Sequence, residues 1–129
     1  MSEPLFLTVA QVEEFHREAL AAYGGIAGVR DRGLLESAVF QPQYVHLYGR
    51  GDLCDVAAAY AYHIAQNQLF LDGNKRTALI AALTFLKANG HSAQVPRAAI
   101  YSALIAIAER RLDRDGLARL FRASEAGAD

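Results

Sequence analysis

The stretch KRTALIAALTFLKAN, residues 75–89, places apolar side chains on nearly every side of a helix. Such a helix has no stripe it can show to water, so other elements must enclose it. It therefore predicts a central, buried helix, stopped by Gly90. Apolar residues make up 53% of the 129, enough for one sizeable core and for a single domain over 1–129.

The surrounding sequence supplies helices to do the enclosing. Thr8 and Gln11 fit a capping box, and Val9, Val12, Phe15, Ala19 and Ala22 mark one face of a helix ending at Gly24-Gly25. Asp31 predicts the start of a second helix around 34–40, closing before Pro42. The following QPQYVHLYGRG has no period and reads as an exposed loop. Asp52 is placed to cap DLCDVAAAYAYHIAQN, whose alanines allow close helix packing. Pro96 suits the first turn of a fifth helix, and Asp113 or Asp115 caps a sixth running through LARLFRAS. The tail EAGAD is expected to fray, and only LFLTV and HSAQV could form a short strand or hairpin. The fold class is all-α, about six helices around a buried centre.

Charge and composition exclude several functions. Thirteen basic against fourteen acidic residues leave a net charge of −1, without the basic field that drives nucleic-acid binding. The longest apolar runs fall short of the roughly 20 residues that span a bilayer. The N-terminal sequence lacks the pattern of a signal peptide, and one cysteine, Cys54, fits a reducing cytoplasm. A soluble cytoplasmic domain is expected, with no membrane and no direct nucleic-acid partner.

The chemistry concentrates just before the apolar helix. Asp72, Gly73 and Asn74 combine short polar caps with a permissive glycine, and the helix they start exposes free N–H groups. Lys75 and Arg76 add two fixed cations on the first turn, and Gly73 lets an anion approach the backbone. Asp72, an acid among so much positive potential, is the expected Mg²⁺ contact. The set suits a nucleoside triphosphate better than a bare monoanion. Yet Asp-Gly-Asn is also an ordinary turn, and Lys-Arg an ordinary solvated pair, so spacing alone leaves both readings open. The frame is not a Walker P-loop.

The segment QLFLDGNKRTA, residues 68–78, resembles the Fic/Doc motif, H-x-F-x-D-G-N-K-R-T-A in its death-on-curing (Doc) branch. Phe70, Asp72, Gly73, Asn74, Lys75, Arg76, Thr77 and Ala78 match. The likeness extends to YGGIAGVRDRGLLESAVFQPQ, AAAYAYHIAQNQ and ALTFLKANG. The resemblance implies a compact helical fold that uses ATP, or another nucleoside triphosphate, with Mg²⁺ to modify a hydroxyl on a target protein. Fic enzymes typically transfer AMP; the Doc branch phosphorylates a threonine of elongation factor Tu and stops translation. It also implies a toxin–antitoxin partnership, with a disordered C-terminal antitoxin segment that folds on binding. Carried over, Asp72 would contact Mg²⁺, Asn74 the phosphates, and Lys75 and Arg76 the phosphate charge. Phe70 would be a buried anchor for the loop.

One position departs from the motif: Gln68 stands where the family has its proposed general base, a histidine. Glutamine does not titrate near neutral pH, and loss of a general base costs about 10²–10⁴-fold. His63 is no substitute, because five residues earlier on a helix turn it to another side, where a packed role is expected. Three readings follow: an active transferase in which glutamine orients the nucleophile, a degenerate domain serving as a binding module or corepressor, or a substitution introduced to disarm a toxin. Cys54 is expected to be a small core residue. His16, His46, His63 and His91 show no metal-ligand spacing. Arg110, Arg111, Arg114, Arg119 and Arg122 read as a solvated face that could meet an acidic antitoxin peptide. Tyr44, Tyr48 and Arg50 mark a loop that could hold target or nucleotide.

Overall fold

The computed structural model describes residues 3–91 and 94–127, with side chains through Ala123. Six helices follow one another: α1 (Val9–Tyr23), α2 (Arg32–Leu47), α3 (Leu53–Asn67), α4 (Asn74–Ala88), α5 (Arg97–Ala108) and α6 (Arg114–Gly127). The described residues contain no strand, only one isolated antiparallel bridge between Val29 and Phe70. The all-α expectation holds. LFLTV is not a strand, and HSAQV lies partly outside the described residues.

Helix starts follow the local chemistry. Thr8 and Gln11 form the capping box of α1, Asp31 caps α2 through Leu34 N–H, and Asp52 forms a capping box with Asp55 on α3. Asp113, not Asp115, accepts from Gly116 N–H at the start of α6. Backbone of 125–127 continues α6, where fraying was expected, and the last two residues lie outside the described set.

The second helix departs from expectation. Pro42 does not end it; α2 runs on to Leu47, so most of the supposed loop, including Tyr44, is helical. Leu35, Ala38, Val39 and Pro42 lie buried on one face, with Val45 packed against the core. That helical period continues through the proline, and burial of its ring outweighs the lost backbone donor.

The centre is shared by two helices. α4 packs against α1, α3 and α5, whereas α3 packs against α2, α4, α5 and α6. Residues 56–61 of α3 are all buried, because successive alanines let neighbours approach from several sides. Tyr60 is the large exception: its hydroxyl accepts from Leu7 N–H at 2.8 Å. Burial pushes that hydroxyl's pKa up to about 12, against the opposing pull of the Leu7 bond.

The face of α1 is rotated from the expected one at its end. Val12, Phe15, His16 and Ala19 are buried, but Ala22 is exposed. Arg122 is likewise not part of a solvated face. It pairs with Asp52 at 3.1 Å and Asp55 at 2.7 Å, joining α6 to the first turn of α3. Burial opposes ionisation of Asp52, but Arg122 and the Asp55 hydrogen bonds outweigh it and hold the carboxyl below its ordinary range. Arg110, Arg111 and Arg119 are exposed, and Arg111 pairs with Glu109.

Candidate active site at the first turn of helix α4

The chain leaves α3 through Gln68, which adopts a left-handed conformation at φ 51°, ψ 65°. Few non-glycine residues do so. Arg30 braces this exit: its Nε donates to Gln68 O at 2.9 Å and its Nη2 to Asn67 O at 3.1 Å. These are carbonyls that a helix C-terminus leaves without partners. Backbone bonds from Arg30 N to Leu69 O and from Leu71 N to Gly28 O strap the 24–31 segment along the site loop.

The loop is then fixed from within. Phe70 is buried and stacks on the His16 ring, with centroids 3.8 Å apart and planes 7° from parallel. His16 Nε2 donates to Asp72 O at 2.9 Å, so the same ring holds two points of the loop. Asn74 accepts from Phe70 N–H through Oδ1 and donates through Nδ2 to Phe70 O, each at 2.9 Å. Its amide is thus a clamp on the loop backbone, and the same residue borders the cavity at the start of α4. Thr77, also buried, donates its hydroxyl to Gly73 O at 2.8 Å.

This arrangement opens the start of α4. Gly73 takes the N-cap position at φ 76° and offers no side-chain cap. The Gly73 N–H is met by Asp72 Oδ1 at 3.0 Å. The N–H groups of Asn74, Lys75 and Arg76 stand on the first turn, without acceptors inside the helix. They border a cavity of about 340 Å³ lined by Asp72, Lys75, Arg76, Tyr23, Gly25 and Tyr101 among others. Lys75 and Arg76 are half-buried, and neither side chain has a hydrogen bond or ion pair among the described residues.

Asp72 closes one side of the cavity. Its Oδ2 accepts from Ile26 N–H at 3.3 Å, so each carboxylate oxygen spends one interaction on backbone and retains another. Gly25 makes this approach possible: a Cβ there would stand 2.9 Å from Asp72 Oδ2 and from Leu20 Cδ2, at φ 125°. The donor set fits magnesium carried on phosphates, which needs only one or two protein carboxylates. No group of three or more His, Cys, Asp or Glu residues converges among the described residues.

The structure therefore gathers Asp72, Gly73, Asn74, Lys75 and Arg76 at one cavity, and leaves Gln68 out of its lining, exposed to solvent. His63 is half-buried on α3, its pKa lowered by burial and by the nearby Arg114, and it does not line the cavity. Tyr44 belongs to a different cavity, with Gly49, Gly51, Asp55 and Arg114. Cys54 is buried in the core. Sequence reasoning missed His16, Arg30, Tyr23 and Tyr101. His16 could have been found, since 12, 15, 16 and 19 complete an i, i+3, i+4, i+7 stripe. Tyr101 carries no local sign of its role.

The Fic/DOC family model matches residues 6–86, from before α1 into the last turn of α4, and so covers the whole loop just described. The chain belongs to the Fic/DOC family. Within it, the chain is similar to the Toxin Doc of Mycolicibacterium smegmatis (strain ATCC 700084 / mc(2)155), at 51% identity over 73 residues, covering 54% of this chain and 55% of that protein. It is also similar to the Protein kinase doc of Escherichia phage P1, at 40% over 76 residues, 58% of this chain and 60% of that protein. The matched part thus falls short of two thirds of either relative's length. The Fic/DOC match ends before α5, so Tyr101 enters the cavity from outside the matched region.

Proposed function

We propose that this chain is a Doc-type toxin that binds a magnesium–nucleoside triphosphate at the start of α4 and transfers its γ-phosphoryl group to a hydroxyl of a target protein. The observation that carries the reading is the convergence of Asp72, Lys75, Arg76 and unpaired helix N–H groups on one cavity. A magnesium ion carried there would neutralise charge developing on the phosphates. Around it, the α4 N–H groups and Lys75 bind the phosphate oxygens, and Arg76 stabilises the spreading charge. Asp72, fixed by Ile26 and Gly73, orients the metal side of the ligand. His16 and Asn74 act behind them, keeping the loop in register. By resemblance, the acceptor is a threonine of elongation factor Tu, in the cytoplasm, and a cognate antitoxin controls the toxin.

The exposed Gln68 lies outside the cavity lining and supplies no titrating group, so any proton transfer falls to solvent or to the phosphate itself. That placement also favours a second reading, a domain that retains nucleotide binding but serves its antitoxin or target as a binding module. The test is transfer from ATP labelled separately at the α and γ positions, with Mg²⁺ and elongation factor Tu, for wild type and Gln68→His. Movement of γ label by the wild type supports the toxin kinase. Transfer by the histidine variant alone identifies a disarmed site, α label identifies AMP transfer, and no transfer by either overturns the enzymatic reading with this target.

A further inference from the structure

Arg76 has an unusual setting for a surface cation on a first helical turn. Its Cζ lies 3.6 Å from the centroid of the Tyr23 ring and 4.8 Å from that of Tyr101, over both ring faces. No carboxylate or carbonyl among the described residues accepts from its guanidinium, so the N–H donors remain uncommitted while the cation itself is held. Aromatic faces attract a guanidinium through the ring quadrupole without consuming its in-plane donors. An ion pair would have spent those donors instead.

The two rings come from separate elements. Tyr23 is the last residue of α1, just before the Gly24-Gly25 turn, and Tyr101 lies on α5. Both line the same cavity as Asp72 and Lys75. Tyr23 is 65% exposed, so packing of its own ring gives no reason for an aromatic residue there. Tyr101 stands beyond the segment matched by the family model.

We infer that Tyr23 and Tyr101 are positioning residues that hold the Arg76 guanidinium in one orientation at the mouth of the cavity, with its donors free for a polyphosphate. The inference rests on the phosphate reading of the cavity for its ligand, but not for the clamp itself. Without the rings, Arg76 keeps its charge and loses its fixed direction, so a bound anion must immobilise a long side chain. Lysine at 76 would restore charge but neither the plane nor the fork of donors.

Two readouts test this on the full chain: the NMR signal of the Arg76 side-chain Nε–H, assigned with Arg76→Gln, and calorimetric binding of magnesium tripolyphosphate. Ring faces shift that signal away from the position of solvent-exposed arginines in the free protein. In a Tyr23→Leu/Tyr101→Leu double variant the signal returns to the exposed position, and tripolyphosphate affinity falls on the order of tenfold. The Tyr23→Phe/Tyr101→Phe variant keeps the rings and restores both, while Arg76→Lys loses affinity like the leucine pair. A signal and an affinity left unmoved by the leucine pair overturn the inference. If the wild type binds no tripolyphosphate, the phosphate reading fails, and the Arg76 signal alone then decides the clamp: displaced and ring-dependent supports it, undisplaced overturns it.

Discussion

Replacing Asn74 by alanine separates a clamp from a ligand. The amide makes two hydrogen bonds with the Phe70 backbone, each at 2.9 Å and part-buried. Removing it strands the Phe70 N–H, at about 1–3 kcal/mol, and takes about 1 kcal/mol from the Phe70 carbonyl. Alanine's better helix propensity returns about 0.5 kcal/mol. The net loss is about 1.5–3.5 kcal/mol, which for a domain of this size is a fall in Tm of roughly 5–15 °C. Urea unfolding followed by circular dichroism reads it directly, with the midpoint lower and the slope unchanged. Lys75→Ala, on the same turn, is the control and stays within about 0.5 kcal/mol, since that side chain has no partner among the described residues. If Asn74→Ala is as stable as wild type yet loses nucleotide binding, the amide is a ligand and the reasoning is wrong.

Other outcomes follow from the same geometry. Gln68→Gly relieves a left-handed backbone and stabilises the fold by up to about 1 kcal/mol in thermal unfolding; a loss would show that its side chain contributes more than its conformation costs. His63 has a folded pKa below its ordinary 6.5, so the unfolded chain binds its proton first; stability is complete above 6.5 and declines as pH falls through that value towards the folded one, and His63→Gln flattens this limb. Asp52 is held below 3.8, so its contribution is present above that pH and lost as pH falls through the folded value; Arg122→Gln takes away one of the lowering causes and raises the folded value, at a cost near neutrality of about 1 kcal/mol for a pair this exposed. Acid unfolding curves of wild type and variant that superimpose would rule out this pairing as the cause.

What the sequence made legible was whatever depends on neighbours along the chain. Thr8, Asp31 and Asp52 announced helix starts, because capping is settled within one turn. Gly24 and Gly90 announced ends, and the motif from Phe70 to Ala78 marked the turn at which the cavity of α4 opens. Pro42 misled, because a missing donor is a local effect while the burial of 35, 38, 39 and 42 against α3 is a tertiary one. The bonds of Asn74 to the Phe70 backbone were hidden for a related reason: they need the bend at Gln68, and the resemblance spoke only of a phosphate contact. Tyr101 could not be seen at all, since only the packing of α5 on α4 carries it to Arg76.

The central claim is that the first turn of α4 is a phosphate site in which Lys75 and Arg76 supply the charge. Calorimetric titration of wild type, Lys75→Ala and Arg76→Ala with Mg-ATP, repeated at two salt concentrations, tests it most directly. The account predicts saturable binding by the wild type that weakens with salt, and on the order of tenfold or greater loss in each variant. Binding of equal strength in all three proteins, or none in the folded wild type, would contradict it.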